Sequence, residues 1–555
     1  MTRPATEPAV SGNGTAAQPG GWGLPLAVLV VGTFMSVLDT TIVTVALPAI
    51  QKQFGVTVED SQWVVTGYTL MLGVVVPTTA WLGDRFGLTR VYNLSLLAFA
   101  AGSALCGLSR SLDSLVAFRI VQAIPGGILP VITLSILFRI VPRERLGAAM
   151  GLYGLGVVVA PAVGPVLGGY LVQYQTWPLV FYINVPIGIL GAVAAALVLP
   201  AFPGHTRRGF DVLGFLTVGG GLFALLLATS EGPEWGWGSY RILGLLTFSV
   251  LSLALFAVIE LEVADPLLDI RIFRYREFTQ SLLLIAVVIV VLTTVLFYIP
   301  QFLQVDQGWG AFESGLALLP QALVMVVLMP IAGRVYDRIG PRWPATIGLS
   351  IMAIDIYALR TITIDTSRGQ VMWLMMGLGI GLGMAMMPIF ASGLAVLPVA
   401  EVNTGSAFNN VVQRVGGALG VAVLTAIYTA QSAQQMAGRS ALIPREHPIP
   451  HLGPTAPPRL GGAVTYMGTQ IRANIGAMDN LFLISAGLSV LGALLALWLR
   501  AGPAPGVQAG PVPPLQAAAP VAAVNGGPIG DGKGSPTRHP DARVDVGADA
   551  SPRST

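Results

Sequence analysis

The sequence predicts an all-α polytopic membrane protein of fourteen transmembrane helices, built as two six-helix halves with two extra central spans. Three observations predict it. Only 10% of the 555 residues are charged and 54% are hydrophobic, whereas a soluble domain carries about 25% charged residues. Apolar runs of about 20 residues, the length that crosses a bilayer as a helix, recur along most of the chain. An Asp-Arg-x-Gly loop occurs twice, eight spans apart. Strand-like alternation is absent, which argues against a barrel, the other structure that satisfies its own backbone groups in hydrocarbon.

A polar segment, 1–22, opens the chain without the basic region of a cleavable signal. The first half, 23–203, holds spans at 24–48, 62–82, 91–109, 114–138, 147–171 and 178–200. Two linker spans follow within 204–270, at 211–230 and 240–261, and neither is expected to carry a buried charge. The second half, 271–500, holds spans at 278–303, 313–333, 343–363, 370–397, 404–429 and 478–499. Residues 430–477 are expected to form a long outer loop, and 501–555 a disordered cytoplasmic tail rich in Pro, Gly and Ala.

Arginines set the orientation. Alternate loops hold Arg85 and Arg90, then Arg139, Arg143 and Arg145, then Arg207 and Arg208, then Arg271, Arg274 and Arg276, then Arg334, Arg338 and Arg342. The opposite short loops hold only Lys52, Arg110, Arg241, Arg360 and Arg368. The bias places both termini in the cytoplasm and the chain in the cell membrane.

The buried charges are the candidate functional groups. An ionised Asp at a bilayer centre costs at least about 2.5–3.5 kcal/mol on insertion scales, and Asp39 sits inside span 1. It lies roughly 13 Å below the outer end of its span, and Arg119 roughly 8 Å below that of span 4. The two can pair. Burial disfavours an ionised carboxylate and a nearby guanidinium favours it, so access from alternate sides could load and unload a proton. Asp355 and Arg414 lie roughly 18 Å and 16 Å from the inner ends of spans 11 and 13, depths that suit a second pair.

The two loops read Ala80-Trp-Leu-Gly-Asp84-Arg85-Phe-Gly87-Leu-Thr-Arg90 and Gly333-Arg-Val-Tyr-Asp337-Arg338-Ile-Gly340-Pro-Arg342. Gly serves a tight turn, Asp favours a helix N-terminus and Arg can bridge to a carboxylate. Contacts of this kind, broken and remade, would latch one state of a rocking transporter, and matched copies indicate duplicated halves. Span 5 carries Gly156-Val-Val-Val-Ala-Pro161-Ala-Val-Gly164-Pro165-Val-Leu-Gly168-Gly169, where glycines allow close helix approach and prolines bend the helix. Span 12 is rich in Met, including Met375 and Met376, and with Trp373 and Phe390 could form part of an adaptable pocket.

These motifs resemble the major facilitator superfamily, and within it the fourteen-span drug/proton antiporters of the QacA/EmrB type, over about residues 24–500. Leu38 to Pro48 is similar to that family's span 1 signature, with Thr44 in place of its usual Asn. Gln62-Trp63-Val64-Val65-Thr66-Gly67-Tyr68 resembles its span 2 entry, and Phe181 to Gly188, with Asn184 and Pro186, its span 6. Arg119-Ile-Val-Gln122 resembles its span 4 motif, which implies a proton-coupling role for Asp39, Arg119 and Gln122; Ala123 and Pro125 replace the usual glycines. The span 5 run resembles the antiporter motif, which implies export. In the first loop Ala80 replaces a Gly, and Leu88 and Thr89 replace basic residues, so the second loop is expected to be the stronger latch.

The resemblance implies a proton-coupled antiporter exporting diverse lipophilic, cationic or amphipathic compounds by alternating access, driven by the proton gradient and needing no cofactor. Its expected partners are such small molecules, protons and the lipid bilayer, with no nucleic acid and no obligate protein partner. An exporter of a specific endogenous lipid or metabolite is the alternative, and a non-transporting receptor or scaffold is the rival from another class. An enzyme is not expected, because no nucleophile–base constellation is present. No metal site is expected either: the single Cys106 lies in an apolar run, and His205, His447, His451 and His539 are scattered through loops and the tail. Two Lys among thirty basic residues fit a GC-rich bacterial genome.

Overall fold

The computed structural model describes residues 21–204, 209–263, 265–440 and 458–502. Most of the N-terminal segment, nearly all of the C-terminal tail, Arg207, Arg208 and all four histidines lie outside the described residues. A helix stands at each of the fourteen expected positions. Among the described residues, eleven helices are long and apolar enough to cross a membrane, twelve if one bent pair is a single span.

The first bundle begins with α1 (Gly23–Phe54), which runs on through Pro48 and stops at Gly55, whose φ of 65° is left-handed. Asp39 therefore stands near mid-helix. Thr57 caps α2 (Val58–Val75) by accepting from the Asp60 amide at 3.1 Å. The chain turns by 58° into α3 (Thr78–Phe86) next to Pro77, which lacks an amide proton to continue the ladder. Then come α4 (Leu88–Gly107), α5 (Leu112–Ile140) behind a Ser111–Ser114 capping box, α6 (Leu146–Tyr174), the single turn α7 (Leu179–Tyr182) and α8 (Asn184–Val198).

The linker supplies α9 (Val212–Trp235) and α10 (Tyr240–Glu262). The second bundle holds α11 (Arg276–Gln301), which loosens into a π-helical turn over Phe302–Asp306, then α12 (Ala311–Ile339), α13 (Arg342–Ala358), α14 (Arg368–Ala395), α15 (Val402–Ser440) and α16 (Pro458–Ala496).

The packing of the first bundle is repeated in the second. The contacts α1–α6, α4–α5, α2–α5 and α4–α8 have counterparts in α11–α15, α13–α14, α12–α14 and α13–α16. The bundles meet chiefly where α6 packs on α12 and where α15 packs on α5. Small residues allow the first approach: a Cβ on Gly151 would meet the Pro330 Cα at 2.7 Å.

Two expectations are corrected here. The outer loop is much shorter than 430–477, because α15 continues to Ser440 and α16 begins at Pro458. Segment 430–440 is rich in Ala and Gln, which favour helix without being strongly apolar. The extensions are tied together: Ser432 donates to Asn474 at 3.0 Å, and Asn474 donates to Asp306 at 3.1 Å. The second correction concerns the linker spans. Glu260, at the end of α10, is fully buried and accepts from the Leu268 amide at 3.1 Å. The chain turns back over that helix end and covers the Glu260 carboxylate, so this linker span does carry a buried acidic side chain.

Candidate functional site

Four intramembrane polar side chains converge between α1, α5 and α8. Asp39, Arg119, Gln122 and Asn184 are all fully buried. Arg119 Nη1 forms an ion pair with Asp39 Oδ2. Gln122 Nε2 and Asn184 Nδ2 donate to Asp39 Oδ1 at 3.1 and 3.0 Å. Both carboxylate oxygens are thus engaged. Arg119 and Gln122 stand one helical turn apart on α5 and reach the same carboxylate, as i, i+3 spacing allows.

The next layer orients these groups. Arg119 Nε donates to the Val64 carbonyl at 3.2 Å, and its Nη1 donates to Gln122 Oε1 at 2.8 Å. Gln122 Nε2 also donates to Ser103 Oγ at 2.5 Å. The guanidinium lies 3.8 Å above the Tyr68 ring, a cation–π contact strengthened because both side chains are fully buried. Cys106 Sγ lies 3.5 Å from Gln122 Oε1. A buried pair is favourable only when its remaining polar atoms are satisfied, and Asp39 meets that condition. Protonating Asp39 would remove the countercharge of Arg119 and upset the whole cluster, so the arrangement can respond to a proton.

The sequence reading named Asp39, Arg119 and Gln122 as a site, and the structure brings them together. It left Asn184, Ser103 and the Tyr68 ring out of that site. Asn184 could have been found as an amide side chain in an otherwise apolar span.

The two loops meet opposite bundles. Asp337, at the end of α12, accepts from the Gly147 and Ala148 amides at 2.7 and 3.0 Å. Those amides open α6, where free N–H groups and the helix dipole favour an anion. Gly333 lets α12 approach that turn, since a Cβ there would run into Gly147. Asp84 accepts from Asn403 Nδ2, near the start of α15, at 2.7 Å. Gly87 and Gly340 have φ of 89° and 84°, and a Cβ on either would strike a neighbouring backbone carbonyl. Arg85, Arg90 and Arg338 are exposed. A cavity of about 450 Å³ borders Asp337, with Trp22, Arg145, Arg334 and Arg338 in its lining.

The α6 glycines divide by face. A Cβ on Gly164 would meet the Thr41 side chain, and one on Gly168 would sit 3.0 Å from the Ile42 carbonyl oxygen. Both therefore seat α6 on α1 just beyond Asp39. Gly169 has nothing within 4 Å, and Pro161 and Pro165 are exposed. Gly169 takes no part in the close packing, because it lies about 100° around the helix from Gly168.

Asp355 and Arg414 do not pair. Asp355 is buried on α13 against Gly377 of α14, and its Oδ2 has no hydrogen bond. Arg414 is partly buried on α15 with its Nε unpartnered. Matching depths did not bring them together, because α13 packs on α14 and α16 whereas α15 packs chiefly on α11, α16, α5 and α9. The pocket expected along α14 is also corrected. Met375 is fully buried in the core, Met376 is partly buried, and Phe390 is buried. Trp373, at 72% exposure, points out of the bundle.

The chain is similar to known proteins over most of its length. The model of the Major Facilitator Superfamily matches residues 29–421. The tetracenomycin C resistance and export protein of Streptomyces glaucescens is 31% identical over 86% of this chain and 91% of its own. The multidrug export protein EmrB of Escherichia coli K12 is 31% identical over 72% of this chain and 79% of its own. Among solved structures, the human organic anion transporter MFSD10 (TETRAN) superposes with a TM-score of 0.56 at 14% identity, over 85% of this chain and 99% of that one.

Proposed function

The chain belongs to the major facilitator superfamily of membrane transporters, and on that premise we propose that it is a proton-coupled exporter of lipophilic, amphipathic compounds whose coupling site is Asp39 with Arg119 and Gln122. The observation that carries the reading is the fully buried ion pair of Asp39 and Arg119, set where α1 meets α5. Two relatives that match most of the chain are named as export proteins, one for tetracenomycin C and one for multiple drugs.

The proposed cycle uses the two bundles as the moving parts. With Asp337 on the α6 amides and Asp84 on Asn403, the Arg-rich end is closed. Arginine bias assigns that end to the cytoplasm. A proton arriving from outside binds an Asp39 oxygen, and the neutral acid no longer holds Arg119. The guanidinium keeps its bonds to Val64 and Gln122. The bundles then rock, the latches part, the proton leaves to the cytoplasm and substrate enters from that side. Of the substrate classes expected from the sequence, the amphipathic one is retained: Asp39 is saturated with donors and offers a cation no free oxygen.

The test uses proteoliposomes with a pH-sensitive dye and a drug panel. Export substrates should drive proton movement in the native protein and none in Asp39→Asn. Full coupling in that variant would refute the assignment.

A further inference from the structure

The helix that carries Asp39 is entered by a foreign hydroxyl two turns before that residue. In a regular α-helix the Gly32 amide bonds to the Val28 carbonyl, four residues back. Tyr92 of α4 reaches into that rung. Its hydroxyl accepts from the Gly32 amide at 3.2 Å and donates to the Val28 carbonyl at 2.8 Å, with the Leu29 carbonyl at 3.2 Å. Thr133 of α5 donates to the same Leu29 carbonyl at 3.3 Å. Tyr92 is fully buried. A Cβ on Gly32 would stand 2.6 Å from the hydroxyl, so the insertion requires glycine there.

One turn farther along α1 a second rung is borrowed. Pro130 lacks an amide proton, which leaves the Gly126 carbonyl of α5 without its helical donor. Ser36 of α1 supplies one, donating to that carbonyl at 2.8 Å. Gly32, Ser36 and Asp39 follow at i, i+4 and i+7 on α1, and Gly126 lies seven residues beyond Arg119 on α5. Both altered rungs therefore lie about two turns from the ion pair, on the side of the Arg-rich loops.

A side chain inserted into the hydrogen-bond ladder is one of the few causes of a sharp helix bend. The Val28–Gly32 rung has two complete arrangements. It is bridged by the hydroxyl, or it closes directly from amide to carbonyl while the hydroxyl keeps the Leu29 carbonyl. Neither leaves a buried backbone group unpaired. Just beyond Asp39, Thr41 and Ile42 seat against Gly164 and Gly168 of α6, and α6 packs on α12 of the second bundle. Arg119 stands on α5, which packs on α4. We propose that Tyr92 is a positioning residue for coupling: its hydroxyl makes Val28–Ser36 the joint at which the outer part of α1 swings with α6, carrying Asp39 away from Arg119 as the bundles rock. The inference rests on the coupling site proposed above and adds the joint that lets its ion pair open.

The test is Tyr92→Phe in full-length protein, in nanodiscs and in proteoliposomes. The ring keeps its packing and the rung closes directly, so the melting temperature should stay within about 2 °C of native. Hydrogen–deuterium exchange of the Val28–Ser36 amides should slow about tenfold. kcat for proton-coupled export should fall about tenfold while KM changes by less than about twofold, because the conformational step is slowed and substrate binding is untouched. Native kcat with unchanged exchange overturns the proposal. So does a lost kcat with a marked fall in melting temperature, the mark of a plain structural clamp. A second measurement leaves Tyr92 in place: Asp39→Asn removes the charge that holds Arg119, and should speed exchange at Val28–Ser36 but not in the flanking turns of α1. Exchange that is unchanged, or faster along the whole helix, overturns the joint. Full coupling in Asp39→Asn would refute the coupling site itself, whereas lost coupling there beside native kinetics in Tyr92→Phe would refute the joint alone.

Discussion

Asp337 reaches across 190 residues of sequence to accept a hydrogen bond from the Gly147 amide at 2.7 Å, joining the end of α12 to the start of α6. With the Ala148 amide this gives the Asp337 carboxylate two bonds in which it is the charged acceptor, each worth about 1.5–3 kcal/mol. Asp84 accepts across the bundles from the neutral amide of Asn403 at 2.7 Å, in a loop where Ala80, Leu88 and Thr89 replace the Gly and basic residues of the pattern it resembles. Asp337→Ala should therefore slow transport and raise thiol labelling from the inward-facing side, and Asp84→Ala should do so more weakly. Cysteine-accessibility measurements that rank the two equally, or in reverse, would reject the assignment of Asp337 as the stronger latch.

Removing one member of a buried ion pair leaves the other uncompensated, a loss of about 3–5 kcal/mol. Arg119→Gln should accordingly lower the melting temperature markedly, because Asp39 would remain buried at the centre of the cluster. The double variant Asp39→Asn/Arg119→Gln should recover much of that stability but no proton coupling. Thermal melts and dye-based proton assays on the same preparations separate the two effects. A double variant as unstable as the single one would mean that the pair is not the dominant interaction.

The glycine faces of α6 give a paired test. Gly164→Val should abolish transport or folding, since its Cβ would enter the Thr41 side chain beside Ile42. Gly169→Ala should be tolerated within about 0.5 kcal/mol, as nothing lies within 4 Å. Expression level and transport rate measured side by side decide it. Comparable damage at both positions would show that the motif acts through something other than close contact with α1.

The linker spans should prove structural. Glu260 accepts from the Leu268 amide inside the turn that follows α10. Glu260→Leu strands that amide and should cost about 1–3 kcal/mol, seen as a lower melting temperature. The ratio of protons moved to substrate exported should not change. A stable variant with an altered ratio would make Glu260 part of the coupling machinery.

The sequence by itself determined the membrane class, the positions of the helices, the duplication and three members of the buried polar cluster, Asp39, Arg119 and Gln122. Each of these is a local or periodic property. A bilayer demands about 20 apolar residues per span, and a buried charge stands out against that background. Depth along a helix follows from a rise of 1.5 Å per residue, which is why Asp39 and Arg119 could be matched. Only the tertiary structure decided which way each side chain faces. Asp355 and Arg414 match in depth, but their helices α13 and α15 pack chiefly on other helices and the two do not meet. Trp373 faces outward, whereas Asn184 faces the cluster. The partners of Asp84 and Asp337 arise where one bundle packs on the other. Hydropathy fixes how deep a residue lies, but the rotation of one helix against its neighbours is set by side-chain packing across the interface, and that is a property of both surfaces together.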